Sequence, residues 1–189
     1  MRISSGWRAA IGTIATVGIL VGLAGCTTAE PEKQMSARDN QKTVAEFVVD
    51  TSQQLDVTGW WPRNGPAAAQ ECTLADGQKG AEYSYDHWAP VGTDLAGDAQ
   101  RVATYWESLG MTVQISDSTK WPTVYGEGGP VLRASFDTGA AENSYRIGVV
   151  STCAAGDFYE LNEEDRAARA AGEVLPGDEG VDFGDSAKP

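Results

Sequence analysis

Two stretches of the chain repeat apolar residues at the three- and four-residue spacing of an amphipathic helix. The first predicted helix runs from about Ala37 to Leu55, and Ser36 and Asp39 have the spacing of a capping box at its start. The second runs from Asp94 to Leu109, where Asp94 can cap the first turn and Gly110 can take the left-handed conformation after the last. Each helix therefore needs an apolar surface to cover.

Alternating apolar and polar residues predict the strands that supply this surface. The alternation is clear from Met111 to Ser116, and the other predicted strands are Ala81 to Trp88, Val131 to Phe136 and Ser144 to Cys153. Asp137 to Asn143 suits a hairpin loop. The element order α-β-α-β-β-β favours an α+β fold, with two helices packed on one face of a roughly four-stranded, mostly antiparallel sheet.

The start of the chain has the layout of an export signal. Arg2 and Arg8 form a short basic region, residues 9 to 21 carry no charge, and Leu23-Ala24-Gly25-Cys26 follows. These four residues resemble the lipobox of bacterial lipoproteins. The resemblance implies cleavage before Cys26, S-diacylglycerol and N-palmitoyl groups on that cysteine, and a location on the extracytoplasmic face of the cell membrane. The alternatives are a chance match within an apolar segment and cleavage nearby by an ordinary signal peptidase.

Composition divides the rest of the chain. Residues 1–25 are predicted as signal peptide, 26–35 as lipidated tether, 36–159 as a single domain, and 160–189 as an acidic, largely disordered tail in which Glu163 to Glu173 can form a short helix. The formal charge of -13 argues against attraction to an anionic membrane and against a nucleic-acid partner. Two acyl chains on Cys26 therefore have to hold the protein at the membrane. The Ala- and Gly-rich, Lys-poor composition indicates a high-GC bacterium such as an actinobacterium.

The remaining cysteines are an even pair. If Cys26 carries lipid, Cys72 and Cys153 are left in an oxidising compartment, which makes a disulfide between them the expected state. The competing interpretation is two free thiols, one of them catalytic. It would require His87, the only histidine of the chain, to lie beside one of these cysteines.

Catalytic and metal-binding patterns are otherwise absent. No Gly-x-Ser-x-Gly elbow presents a serine to His87, which we interpret as a strand residue on a partly exposed face. One histidine and two paired cysteines are too few for a usual zinc site, so we expect no metal and no cofactor. Gly126 to Pro130 is interpreted as a loop, because no Lys-Ser/Thr follows it. The many carboxylates leave a paired-acid hydrolase open.

Three tryptophans lie in predicted loops, namely Trp60, Trp61 and Trp121. Such residues can form a platform for a sugar or a partner protein, although closing the edge of the core is the commoner role. The sequence thus favours a lipid-anchored lipoprotein with a non-catalytic binding or structural role at the cell envelope. The alternatives are a sugar- or peptidoglycan-binding module that uses these tryptophans, a carboxylate-dependent envelope hydrolase, and a plain spacer.

Overall fold

The computed structural model describes residues 35–116, 120–141 and 143–181. The signal peptide, Cys26 and all but the last residue of the tether lie outside the described residues. The described elements are α1 (Ala37–Ser52), β1 (Ala68–Thr73), β2 (Lys79–Pro90), α2 (Leu95–Ser108), β3 (Thr112–Ser116), β4 (Thr123–Glu127), β5 (Arg133–Ala141), β6 (Ser144–Val150) and α3 (Phe158–Ala170). None of the described helices has both the length and the apolar character needed to cross a membrane.

The two predicted helices begin at the N-cap residues that the sequence indicated. Ser36 and Asp39 make the capping box of α1, each accepting a hydrogen bond from the other's backbone N–H. Asp94 accepts a hydrogen bond from Gly97 N at the start of α2, and Gly110 has a φ of 80° after its end. Both helices end slightly earlier than the apolar pattern suggests.

The six strands form one antiparallel sheet in the order β1-β2-β6-β5-β4-β3. Helix α1 packs on β2 and β6, α2 packs on β3, β4 and β5, and α3 packs on β1. The predicted α+β class is confirmed, whereas the prediction of two helices and about four strands is wrong in detail. The sheet also contains β1 and β4, and a third helix follows β6.

The core lies between the helices and one face of the sheet. Trp106 of α2 is fully buried, donates from Nε1 to Thr51 Oγ1 at 3.0 Å, and lies 5.6 Å from the ring of Phe47 between centroids. Gly126 makes room for it, since a Cβ there would lie 2.8 Å from a Trp106 ring carbon. Gly126 is thus a strand residue of β4, not part of the expected loop, because the indole needs the space that a side chain would fill.

The packed chain continues past residue 159, where we placed the end of the domain. Helix α3 is held to α1 by Asp165, which is 2% exposed and accepts a hydrogen bond from Gln41 Nε2 at 2.9 Å and an ion pair from Arg38. After α3, Asp178 is also buried and pairs with Arg169 at 3.0 Å. The short helix expected within the tail is part of α3. Residues 182–189 lie outside the described residues.

Cys72 and Cys153 form a disulfide, as the cysteine count predicted. Their Cα atoms are 5.9 Å apart, and 81 positions separate them in the chain. Cys72 lies in β1, not in a loop, and Cys153 lies just after β6. The bond therefore joins the edge strand to the segment that leaves the middle of the sheet.

Candidate functional site

The sheet face opposite the helices is uncovered by any described element, and it contains a groove of about 580 Å³. Strand register places one row of residues across its floor, with Asp86, Gly148, Ser135 and Tyr125 as successive neighbours on β2, β6, β5 and β4. We call these four residues the central row. Pro66 and its neighbours in the segment before β1 form one wall. The groove runs across the strands, not along them.

A glycine in the middle of the central row makes room for an arginine. A Cβ on Gly148 would lie 2.9 Å from Arg146 Nη2 and 3.0 Å from its Cζ, so the guanidinium lies over Gly148. Arg146 Nε donates to Asp86 Oδ2 at 3.0 Å, and Nη1 lies 3.6 Å from Asp137 Oδ2. Two carboxylates from neighbouring strands thus fix the guanidinium on the floor of the groove.

Asp86 is the most connected polar residue of the groove, and it is 6% exposed. Besides Arg146, its Oδ2 accepts hydrogen bonds from Asn64 Nδ2 at 2.6 Å and from Trp88 Nε1 at 3.2 Å. Its second oxygen, Oδ1, accepts none from the described residues, and Arg146 Nη2 donates none to them. Both atoms therefore keep hydrogen-bonding capacity, and the Arg146 side chain, which is 36% exposed, is the part of the pair that solvent reaches.

The rims of the groove differ in character. Tyr125 ends the central row with 49% of its surface exposed. On the next row, Arg133 and Glu127 are cross-strand partners, and Ser84 accepts a hydrogen bond from Gln70 Nε2 at 2.6 Å. The groove thus combines an aromatic ring at one end with amide and hydroxyl groups at the other.

The strands of the open face carry four acidic and two basic side chains, and two further basic side chains lie near its edge. Glu82, Asp86, Glu127 and Asp137 lie on its strands, and Arg63, Lys120, Arg133 and Arg146 lie on its strands and rim. Arg63 lies 4.6 Å from the centre of the Trp88 ring, and Lys120 lies 4.9 Å from that of Trp121.

The three tryptophans do not form a shared platform in the groove, which was the alternative to their closing the edge of the core. Trp60 is half-buried and donates from Nε1 to Val57 O at 3.0 Å. Trp61 is 39% exposed and pairs by backbone hydrogen bonds with Trp88 of β2. Trp121 is 38% exposed and packs against Gly139 of β5. Strands β2 and β6 separate Trp61 from the position of Trp121, and none of the three lines the groove.

His87 lies on the helix side of the sheet, which corrects the expectation of a partly exposed face. It is 6% exposed, and its Nε2 lies 2.7 Å from the hydroxyl oxygen of Tyr85. Burial lowers the pKa of His87, while Asp86 and Glu179 act against this shift. Burial also raises the pKa of Tyr85. The histidine is thus a neutral core residue that no free thiol or serine of the groove accompanies.

A metal centre finds no support among residues 35–116, 120–141 and 143–181, because no three His, Cys, Asp or Glu side chains there are grouped to hold an ion.

The sequence analysis did not identify the groove residues Asp86, Arg146 and Tyr125. Alternation within β6 does place Arg146 and Gly148 on one face. Their meeting with Asp86 and Ser135 depends on strand register, which no local pattern of residues shows.

Comparisons with known proteins give little more. No protein-family profile matches the chain, and no curated protein is significantly similar to it in sequence. Among solved structures, it is similar to the crystal structure of a DUF4853 family protein from Actinomyces odontolyticus ATCC 17982. The two share 13% identity over 82% of this chain and 81% of that one, with a TM-score of 0.44. This similarity says nothing about a ligand or an activity.

Proposed function

We propose that this protein is a lipid-anchored lipoprotein of the bacterial envelope whose domain binds an envelope ligand in the groove, without catalysis. The observation that carries the binding proposal is the donor and acceptor pair on the groove floor. Arg146 and Asp86 hold each other in place before any ligand arrives, which lowers the entropy that binding costs. The volume of the groove is within the usual range for small-molecule sites.

Two features support the envelope location. The residues from Arg2 to Cys26 resemble a lipoprotein signal in the expected order of basic region, apolar run and lipobox. The disulfide between Cys72 and Cys153 is typical of proteins outside the reducing cytoplasm. A protein with a formal charge of -13 is not attracted to anionic lipid, so acyl chains are the natural anchor.

The chemistry of the groove favours binding over hydrolysis. Asp86 and Asp137 both pair with the same guanidinium, that of Arg146, whereas the two carboxyl groups of a paired-acid hydrolase flank the bond that is cut. The one histidine is buried on the other side of the sheet. Binding therefore needs only the groups that are already in place.

A blocked groove tests the binding proposal. We expect Ser135→Trp to abolish retention of solubilised envelope material by the full chain in liposomes, because the indole fills the central row. Thr104→Trp on the exposed side of α2 is the matched control and should bind normally. Equal retention by both variants, with unfolding curves like that of the wild type, would rule out the groove as the binding site.

The anchor needs a separate experiment. Mass spectrometry of the membrane-extracted protein should find an N-terminal Cys26 carrying two ester-linked chains and an amide-linked palmitoyl group. Cys26→Ser should leave an uncleaved or released protein. An unmodified Cys26 in the membrane fraction would contradict lipid anchoring and leave the groove proposal untouched.

A further inference from the structure

We propose, as a refinement of the groove function above, that the ligand is an uncharged, hydroxyl-rich saccharide chain that lies across the strands along the central row. Its hydroxyl groups bind Asp86 and Arg146, and one sugar ring packs on Tyr125. This inference rests on the groove being a binding site.

The polar groups on the floor of the groove suit a ligand that both donates and accepts hydrogen bonds. Neither Asp86 Oδ1 nor Arg146 Nη2 has a hydrogen-bond partner among the described residues, and the arginine side chain is 36% exposed while that of Asp86 is 7% exposed. A hydroxyl group donates and accepts, and two vicinal hydroxyls match a carboxylate and a guanidinium held side by side. Many saccharides offer such pairs.

The charge of the open face does not select a charged ligand. Its strands carry four acidic and two basic side chains, with Arg63 and Lys120 near its edge, while the protein as a whole is acidic. A polyanion would meet an overall repulsive field, and a polycation would meet Arg133 and Arg146 in the groove itself. An uncharged ligand meets neither repulsion.

Tyr125 supplies the apolar part of the site. A ring that is 49% exposed on a strand, at the end of a polar groove, presents a flat surface to solvent. Aromatic rings bury much area with few rotamers to freeze, and the C–H face of a sugar ring fits such a surface. Gly148, where the Arg146 guanidinium lies, is two strands away in the same row, so only Ser135 separates the guanidinium from Tyr125 along the row.

An extended peptide fits this place less well. Peptides that bind sheets usually add a strand to an open edge and use its free N–H and C=O groups. The groove crosses β2, β6, β5 and β4, and each of these strands is paired on both sides. The floor of the groove therefore offers side chains to a ligand, and its backbone N–H and C=O groups are already used between strands.

Titration of the full chain with short oligosaccharides tests the inference. The protein is kept in a detergent without a sugar headgroup, and binding is followed by calorimetry and by NMR shifts. The probes are tetramers of glucose, mannose, arabinose and N-acetylglucosamine, with oligogalacturonate and an alanine pentapeptide as competing classes. We expect at least one neutral tetramer to bind and to shift signals of the central row.

The variants separate a stacking role from a structural one. Tyr125→Ala should weaken binding of the neutral tetramer about tenfold, and Tyr125→Phe should restore most of the loss. Gly148→Ala should also weaken it, because the added methyl displaces the Arg146 guanidinium without changing any charge. Tyr159→Ala, on the exposed surface of α3, is the control and should bind like the wild type.

Three results would overturn the saccharide inference. They are binding of oligogalacturonate alone with loss in Arg133→Ala, binding of the pentapeptide alone, and no binding by any neutral tetramer. If Ser135→Trp still abolishes retention of envelope material, the groove function stands and only the ligand class is wrong. If it does not, both proposals fall.

Discussion

The ion pair between Arg146 and Asp86 gives the sharpest quantitative test of the groove. Replacing Arg146 with Met removes a charge-assisted hydrogen bond of 3.0 Å from a carboxylate that is 6% exposed. Such bonds contribute about 1.5 to 3 kcal/mol, and the partial exposure of the arginine side chain, 36%, favours the lower end. We expect the free energy of unfolding to fall by about 1.5 to 2 kcal/mol.

A double-mutant cycle with Asp86→Asn separates the pair from its surroundings. Urea unfolding, followed by tryptophan fluorescence, should give a coupling of about 1 kcal/mol with no change in the denaturant slope. The same cycle with Lys42→Met and Glu46→Gln is the control, since this pair is largely exposed and should give a coupling of about 0.3 to 0.5 kcal/mol. A coupling no larger than that of the control would show that Asp86 does not hold the guanidinium in place.

Three further predictions concern the stability of the fold. Reducing the bond between Cys72 and Cys153 should cost up to about 4.5 kcal/mol in urea unfolding, as expected for a closed loop of this length, and a loss below about 1 kcal/mol would contradict that account. Because burial lowers the pKa of His87 in the folded state, the unfolded chain binds the proton more readily; stability should be full above pH 6.5 and decline as the pH falls below it. Thermal midpoints should show this decline relative to His87→Gln, and parallel pH profiles for the two proteins would refute it. Asp165→Ala should destabilise the fold by about 1 to 3 kcal/mol, since it leaves the buried amide of Gln41 without its acceptor, while Arg38 is partly exposed and keeps its pair with Glu164. Rapid amide exchange confined to α3 would mark the site of the loss.

Local patterns were enough to predict the two long helices and the disulfide. The capping box of Ser36 and Asp39, the cap at Asp94 and the glycine after α2 are all satisfied within a turn of chain. The bond between Cys72 and Cys153 followed from having a single pair to join. None of these features needs a distant part of the sequence except the partner cysteine.

The strands and helix that were missed depend on distant partners. Strand β1 shows little apolar alternation, and Asn162 of α3 completes it by bonding both the N–H and the C=O of Ala69. Strand β4 is interrupted by Gly126, whose missing side chain is explained only by Trp106. Helix α3 is held to α1 through Asp165. In the sequence this residue resembles an ordinary surface charge, whereas in the fold it binds Arg38 and Gln41.

The sequence alone was enough for the class of the fold and for the pairing of Cys72 with Cys153, and the proposal of export and anchoring rests on the residues up to Cys26. The groove was decided by tertiary structure, because Asp86, Gly148, Ser135 and Tyr125 come from four strands and share a row only through their register. A shift of one residue would turn any of them to the other face. Register is set by the whole packed sheet, so the site that we propose for this protein has no signature along the chain.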